Sequence, residues 1–286
     1  MWIVFALASA FFAGITAILA KIGIKNTDSN LATAIRTVVI LLFSWLMVLV
    51  AGSLPTIVDL SRRTVVFLLL SGLATGLSWL CYFKALQLGS VNQVTPIDKS
   101  SILLTMVLAM LFLDEAVTLP KIAAMALIGA GTYLMIEKKV EHQPAAADRR
   151  WLLFAAGSAV FASLTSILGK VGIEGVESNL GTAIRTGVVL IMAWFLVFLT
   201  KKQKEIRNID GKSWVFLLLS GLTTGLSWLC YYKALQDGEA SVVAPIDKLS
   251  LLVTIGFSSL ILKEPLSKKS ALGLAGVVAG TLLLLL

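Results

Sequence analysis

A single histidine, His142, and two cysteines, Cys81 and Cys230, leave little material for metal or nucleophile chemistry. A His-based metal centre or a Ser–His dyad needs imidazoles placed beside their partners. The one histidine instead falls in the most polar stretch of the chain. The cysteines lie inside apolar runs, one in each half, and do not indicate a disulfide framework. No G-x-x-x-x-G-K-[ST] motif is present, so a P-loop in this chain does not supply ATP energy. No nucleophile–base pair stands out, and we expect no enzyme activity, no cofactor and no metal. Charge is also scarce, at 14 % of residues against about 25 % in soluble domains. Period-2 alternation with regular turns is absent, which argues against a membrane barrel.

What the chain does have is apolar surface. Of its 286 residues 58 % are hydrophobic, and the mean hydropathy is +0.92. A water-soluble protein of this size has nowhere to hide that much, so the expected solvent is lipid. The net charge of +8 comes from residues between apolar runs, which fits loops and membrane pathways and not a nucleic-acid partner.

The chain also repeats itself. Laying Met1–Glu137 over Arg150–Leu286 needs no gap, and nearly half the positions are then identical. Each half holds five apolar runs: about 2–24, 31–51, 64–87, 91–113 and 119–136, then 151–173, 180–200, 213–236, 240–262 and 268–286. Each approaches the roughly 20 residues a helix needs to span the hydrocarbon core. The prediction is an all-α integral membrane protein of ten transmembrane helices, with a first repeat over 1–137, a polar linker over 138–150 and a second repeat over 151–286. Because five is odd, the second half starts from the opposite side, and the repeats are inverted about a pseudo-two-fold axis in the membrane plane. Ala8-Ser-Ala10 resembles a cleavage site, but its run recurs in mid-chain, so we expect it to be retained. Short connections predict that sequential helices are antiparallel neighbours. Most loop lysines and arginines fall in the odd-numbered connections, which the positive-inside rule places in the cytoplasm with both termini outside.

Ionisable residues recur inside the runs at equivalent positions: Lys21 and Lys170, Arg36 and Arg185, Lys84 and Lys233, Asp98 and Asp247, Lys99 and Lys248. Each such charge costs about 2.5–3.5 kcal/mol on insertion scales and calls for a partner, a wet cavity or a route to the surface. Lys21 and Arg36 flank the first hairpin symmetrically, about 10 Å in at 1.5 Å per residue. Lys84 and Asp98 flank the next hairpin on the same side. Lys21, Arg36, Lys84, Asp98 and Lys99 are therefore expected at one depth, as a cationic cavity suited to an anionic or zwitterionic solute. The competing readings are snorkelling for Lys21, Lys84 and Lys170 and a structural Lys84–Asp98 ion pair.

Pro96, two residues before Asp98, frees a backbone carbonyl and either kinks its helix or sits in its first turns. Asp98, Ser101 and Thr105 share a helix face, as do Asp247, Ser250 and Thr254, and a polar stripe faces protein or water. Glu115 and Glu264 are read as interfacial anchors. Gly72-x-x-x-Gly76, Gly221-x-x-x-Gly225 and Gly276-x-x-x-Gly280 permit close helix approach. Trp79 and Trp228 lie mid-helix, in a cavity wall or in packing.

Ala17-Ile-Leu-Ala-Lys-Ile-Gly23, Ala34-Ile-Arg-Thr37, Ser71-Gly-Leu-Ala-Thr-Gly-Leu-Ser-Trp79, Lys84-Ala-Leu-Gln87, Pro96-Ile-Asp-Lys99 and Phe112-Leu-Asp-Glu115 all recur in the second half, at their full length or in part. With these motifs the chain resembles the EamA-type branch of the drug/metabolite transporter superfamily, as a tandem fusion of two five-helix single-domain members. The resemblance implies a ten-helix inverted-repeat carrier of small metabolites, and cytoplasmic termini where the charge count puts them outside.

Together these readings predict a secondary transporter in the cell membrane, acting as a monomer or homodimer, with a small-molecule substrate, the lipid bilayer and a coupling proton as partners. Its expected substrate-binding residues are Arg36, Lys84, Asp98, Lys99, Arg185, Lys233, Asp247, Lys248, Trp79 and Trp228. The alternative is a proton-coupled exporter of cationic or lipophilic compounds, with Asp98 and Asp247 carrying the proton. A non-transporting membrane scaffold has no evident need for the paired polar stripes.

Overall fold

A computed structural model describes residues 1–24, 27–88, 91–135, 150–261 and 267–285, without the side chains of 91–93, 96 and 258–261. Lys25, the linker residues 138–149 with His142, Lys263 and Glu264, and the side chain of Pro96 lie outside that description.

Twelve α-helices and two short 3-10 turns account for the described secondary structure. The first repeat holds α1 (Trp2–Gly23), α2 (Ser29–Val50), α3 (Arg62–Leu88), α4 (Val91–Lys99), α5 (Ser101–Phe112) and α6 (Leu119–Met135). The second holds α7 (Arg150–Gly172), α8 (Ser178–Leu199), α9 (Gly211–Asp237), α10 (Ala240–Asp247), α11 (Ser250–Ile261) and α12 (Lys268–Leu283). Only Ser100 separates α4 from α5, and only Lys248 and Leu249 separate α10 from α11. Counting each of those pairs as one interrupted segment gives ten helical segments, roughly as predicted. Among the described residues seven helical stretches are long and apolar enough to cross a membrane, and α6 is a shorter apolar one.

Helix starts follow from capping chemistry, and the caps repeat. The Asp28 carboxylate accepts the N–H groups of Asn30 and Leu31 at 3.0 and 3.1 Å. Its equivalent Glu177 accepts those of Asn179 and Leu180, both at 3.0 Å. Ser61 and Asp210 cap α3 and α9 in the same way, and Thr118 and Ser267 cap α6 and α12. Hydrogen bonds from the Ser213 hydroxyl and N–H hold the Asp210 carboxyl below its ordinary pKa. Removing such a cap costs about 1 kcal/mol. Asp28→Ala should therefore lower the thermal unfolding midpoint of purified protein modestly. Glu177→Ala should lower it further, because Glu177 also accepts the Ser53 hydroxyl at 3.0 Å.

The helices divide into two compact units, and each unit draws on both repeats. One comprises Met1–Leu73, Leu168–Gly238 and Ser250–Glu264; the other comprises Ala74–Ile167, Glu239–Leu249 and Pro265–Leu286. In the first unit α1 packs on α9 and α11, and α2 packs on α8 and α9. In the second α6 packs on α12, and α5 on α10. The expectation of sequential antiparallel neighbours is corrected accordingly: the most extensive packing joins one repeat to the other. Apolar burial is stronger across the repeats than along a short connection, which dictates only where a helix starts.

The contacts between repeats are reciprocal. Ser227 donates to the Ser9 carbonyl at 3.1 Å, with the two hydroxyls 3.3 Å apart. At the equivalent positions Ser78 donates to the Ser158 carbonyl at 3.1 Å, again with hydroxyls 3.3 Å apart. Thr224 and Thr16 meet at 3.5 Å, and their equivalents Thr75 and Thr165 at 3.3 Å. The first helix of each repeat thus contacts the third helix of the other. Such exchange of equivalent contacts is the signature of a two-fold relation.

Glycines set the close approaches that the G-x-x-x-G motifs predicted. A Cβ on Gly221 would fall 2.7 Å from the Val39 side chain, and one on Gly72 would fall 2.7 Å from the Arg185 carbonyl. In the second unit α6 and α12 touch backbone to backbone, with Gly131 against Gly273.

Candidate functional site

The helix interruptions fall at the sequence-predicted Asp-Lys pairs. Asp98 and Lys99 end α4, and Asp247 ends α10 with Lys248 next to it. After a proline the helix tightens: Ser100 N–H bonds the Ile97 carbonyl, and Lys248 and Leu249 bond those of Pro245 and Ile246, each three residues back. Pro245 sits inside α10, where it withholds one backbone donor. Asp98 accepts the Ser158 hydroxyl at 2.8 Å. The Lys99 ammonium lies 3.6 Å from the Asp98 carboxylate, and Lys248 lies 3.8 Å from that of Asp247. In both pairs the carboxylate is the more buried partner, with side-chain exposures of 19 % and 20 % against 50 % and 36 % for the lysines. Each interruption therefore presents an ammonium group and holds its carboxylate back.

Arg185 is the most buried cation among the described residues, and its equivalent Arg36 is half-buried. Arg185 on α8 is fully buried. Its Nε donates to the Ser71 hydroxyl at 3.2 Å, and its guanidinium lies 4.4 Å from the Tyr232 ring centroid and 5.4 Å from that of Trp228. Trp228 is thus a cation–π partner, which settles its role as more than bulk packing. Arg36 on α2 donates to the Thr224 hydroxyl at 2.7 Å, and its Nε is buried with no hydrogen-bond partner. An unmet buried donor costs about 1–3 kcal/mol, and Arg36 carries that cost on a charged group. Both arginines belong to the first compact unit, each reaching a hydroxyl on the third helix of the opposite repeat.

Other predicted residues take local partners. Lys84 is exposed and donates to Gln87 at 3.3 Å, one turn along α3, so it does not join Asp98. Lys233 pairs with Asp237 at 3.0 Å and also donates to Gln236. Trp79 is half-buried on α3. Lys21 is exposed, whereas Lys170 donates to the carbonyls of Leu235 and Gly238 and so closes the C-terminus of α9. A cation there also complements the negative end of the helix dipole. Cys81 and Cys230 are free thiols. Thr105 of the polar stripe is buried and donates to the Ser101 carbonyl, as a protein-facing stripe requires.

One arrangement was not read from the sequence. Glu115, expected as an interfacial anchor, is buried and accepts the N–H groups of Ala240 and Ser241 at 2.5 and 2.9 Å. It caps the N-terminus of α10 from the other repeat. Beside it the buried Lys121 pairs with Glu239 at 2.7 Å. The recurrence of Glu115 as Glu264 was the available signal. Beside the α4–α5 interruption a cavity of about 200 Å³ opens between Lys99 and α6.

Among the described residues, seven helical stretches long and apolar enough to cross a membrane, with helix interruptions at matching charged pairs, define a multi-pass membrane protein. A family model described as the EamA-like transporter family matches residues 1–137 and 149–286. The chain belongs to that family. An uncharacterized transporter of a Sinorhizobium species, encoded in a cobO 3' region, is 44 % identical over 137 residues, which are 48 % of this chain and 97 % of that protein. An uncharacterized protein of Methanocaldococcus jannaschii is 29 % identical over 126 residues, 44 % of this chain and 89 % of that one. Both relatives are therefore one repeat long. A crystal structure of a protein at 16 % identity superposes with a TM-score of 0.77 over 99 % of this chain and 95 % of its own, a likeness of fold.

Proposed function

We propose that the chain carries a small anionic or zwitterionic metabolite across the cell membrane by alternating access between repeats 1–137 and 151–286. The observation that supports this most is Arg36: a half-buried guanidinium with a hydroxyl partner and a buried Nε whose donor is unmet. A carboxylate or phosphate is the ligand that relieves such a cation. Arg185 with Trp228 and Tyr232 supplies a second cation backed by aromatic faces, and Lys99 and Lys248 present ammonium groups at the interruptions.

The test is flux of anionic metabolites into proteoliposomes. Arg36→Gln should reduce it about tenfold, equivalent to about 1.4 kcal/mol. Arg36→Lys should retain part of it, because the charge survives and the fork geometry does not. Unchanged flux in Arg36→Gln refutes the assignment.

Asp98 favours a second reading. A carboxylate four-fifths buried and hydrogen-bonded to Ser158 suits a proton site in an exporter of cationic or lipophilic compounds. In that case Asp98→Asn with Asp247→Asn abolishes proton-driven efflux of a cationic dye, and Arg36→Gln leaves it intact.

A further inference from the structure

The cavity beside the α4–α5 interruption is lined by groups of two kinds. Lys99, Ser100, Thr132 and Tyr133 bring one ammonium and three hydroxyls. Ile102, Leu103 and Ile128 bring an apolar wall, and Gly129 completes the floor. At about 200 Å³ the space is below the usual drug-sized site of about 300–1,000 Å³. It equals the liquid volume of about seven waters, at about 30 Å³ each.

The internal repeat shows that this cavity is not a by-product of the fold. Lys99 recurs as Lys248 and Thr132 as Thr281, and the apolar wall recurs as Leu251, Leu252 and Val277. The other three lining residues change. Ser100 is replaced by Leu249, Gly129 by Val278 and Tyr133 by Leu282. The second repeat thus keeps the lysine and replaces these three residues with branched aliphatic ones. Space is tight at Gly129 itself: a Cβ there would lie 3.1 Å from Leu103 Cδ1. A valine at this position takes volume directly from the cavity. The first repeat therefore carries a glycine and two hydroxyl residues where the second carries three branched aliphatic residues.

The chemistry of the lining selects its occupant. Among the described lining residues the charged side chain is Lys99, which is half exposed and is ion-paired with Asp98 at 3.6 Å. Hydroxyls of Thr132 and Tyr133 can orient a carboxylate, whereas that of Ser100 donates to the Ile97 carbonyl at 2.6 Å. The apolar wall has nothing to offer but contact with hydrocarbon.

We propose that this first-repeat cavity binds a small monocarboxylate with an apolar body, its carboxylate at Lys99 and its hydrocarbon against Ile102, Leu103 and Ile128. The inference rests on the reading of the chain as an anion carrier and narrows it: the solute carries a carboxylate on an apolar body, and three lining positions of its site differ between the repeats.

Calorimetric titration of the purified full-length protein with phenylacetate, phenylacetamide and phenethylamine tests it. Phenylacetate should bind saturably, and the amide and the amine at least tenfold more weakly. Lys99→Gln and Gly129→Val should each weaken phenylacetate at least tenfold, while Val278→Ala leaves it unchanged. Equal affinity for acid and amide overturns the proposal, because the cavity is then an apolar slot of the kind a lipid chain fills. Undetectable phenylacetate binding overturns it too, as does unchanged affinity in monodisperse Gly129→Val. If Gly129→Val does not fold, Ser100→Leu at an exposed position decides, and unchanged affinity there is equally fatal. The titration is independent of flux. Binding with no anion flux in proteoliposomes sinks the transport reading alone, whereas flux with no sensitivity to the cavity variants sinks this one alone.

Discussion

Gly131→Ala should destabilise the protein by about 3 kcal/mol, at the upper end of the cost of overpacking. The added Cβ would stand 2.5 Å from the Gly273 carbonyl oxygen and 2.7 Å from the Val277 nitrogen. Both are backbone atoms of α12 and cannot rotate away. Relief requires α6 and α12 to separate along their contact, and in lipid that contact has little besides close packing to hold it. Gly187→Ala is the matched control. It is also a mid-helix glycine, but nothing lies within 4 Å of the new Cβ, and the first repeat already carries Val38 at the equivalent place. That substitution should be neutral or stabilise by up to about 1 kcal/mol through helix propensity. Thermal unfolding of the two purified variants, side by side, checks the contrast. Equal midpoints would show that the α6–α12 contact tolerates expansion.

Glu115→Ala should cost about as much for a different reason. It leaves the N–H groups of Ala240 and Ser241 buried without an acceptor, each worth about 1–3 kcal/mol. It also removes an anion from the positive end of a helix. Part of the loss should be local, because α10 is short and its anchor is Glu115. Hydrogen exchange over residues 240–248 should rise in Glu115→Ala before the rest of the chain responds. Asp247 and Lys248 are carried at the far end of that segment, so solute flux should fall along with protection. Exchange in 240–248 no faster than in the parent protein would show that α10 is held by its packing on α5 alone. Glu239→Gln, which deprives the buried Lys121 of its carboxylate, should produce a milder version of the same opening.

The helices were legible because their signals are local. Apolar length, a capping carboxylate at Asp28 and Glu177, and proline before the Asp-Lys pairs all act within a few residues of where they are read. The odd number of runs per repeat implied an inverted two-fold relation between the halves, but not which helices exchange contacts. What stayed hidden was rotation about each helix axis. Counting residues from a hairpin gives a side chain its depth, and Lys84 and Asp98 share a depth. It does not say which way the side chain points, and Lys84 turns along its own helix to Gln87. The partners of Arg36 and Glu115 were hidden for a related reason. They come from the other repeat, and no spacing within one repeat points to them. Glycine motifs announced close approach but not the partner, which at Gly131 is another glycine, Gly273.

The exchange of partners between repeats also fixes an order of events during synthesis. Ser9 waits for Ser227, 218 residues further on, and Arg36 waits for Thr224, 188 residues further on. Contacts so distant in sequence form late. A nascent first repeat therefore enters the bilayer with its serines, threonines and a guanidinium still seeking acceptors, and it reaches its final packing only when the third helix of the second repeat has been made. A ribosome stalled before α9 holds a chain that is inserted but unfinished, and the cell's membrane quality control sees it as such for most of the time the message takes to read.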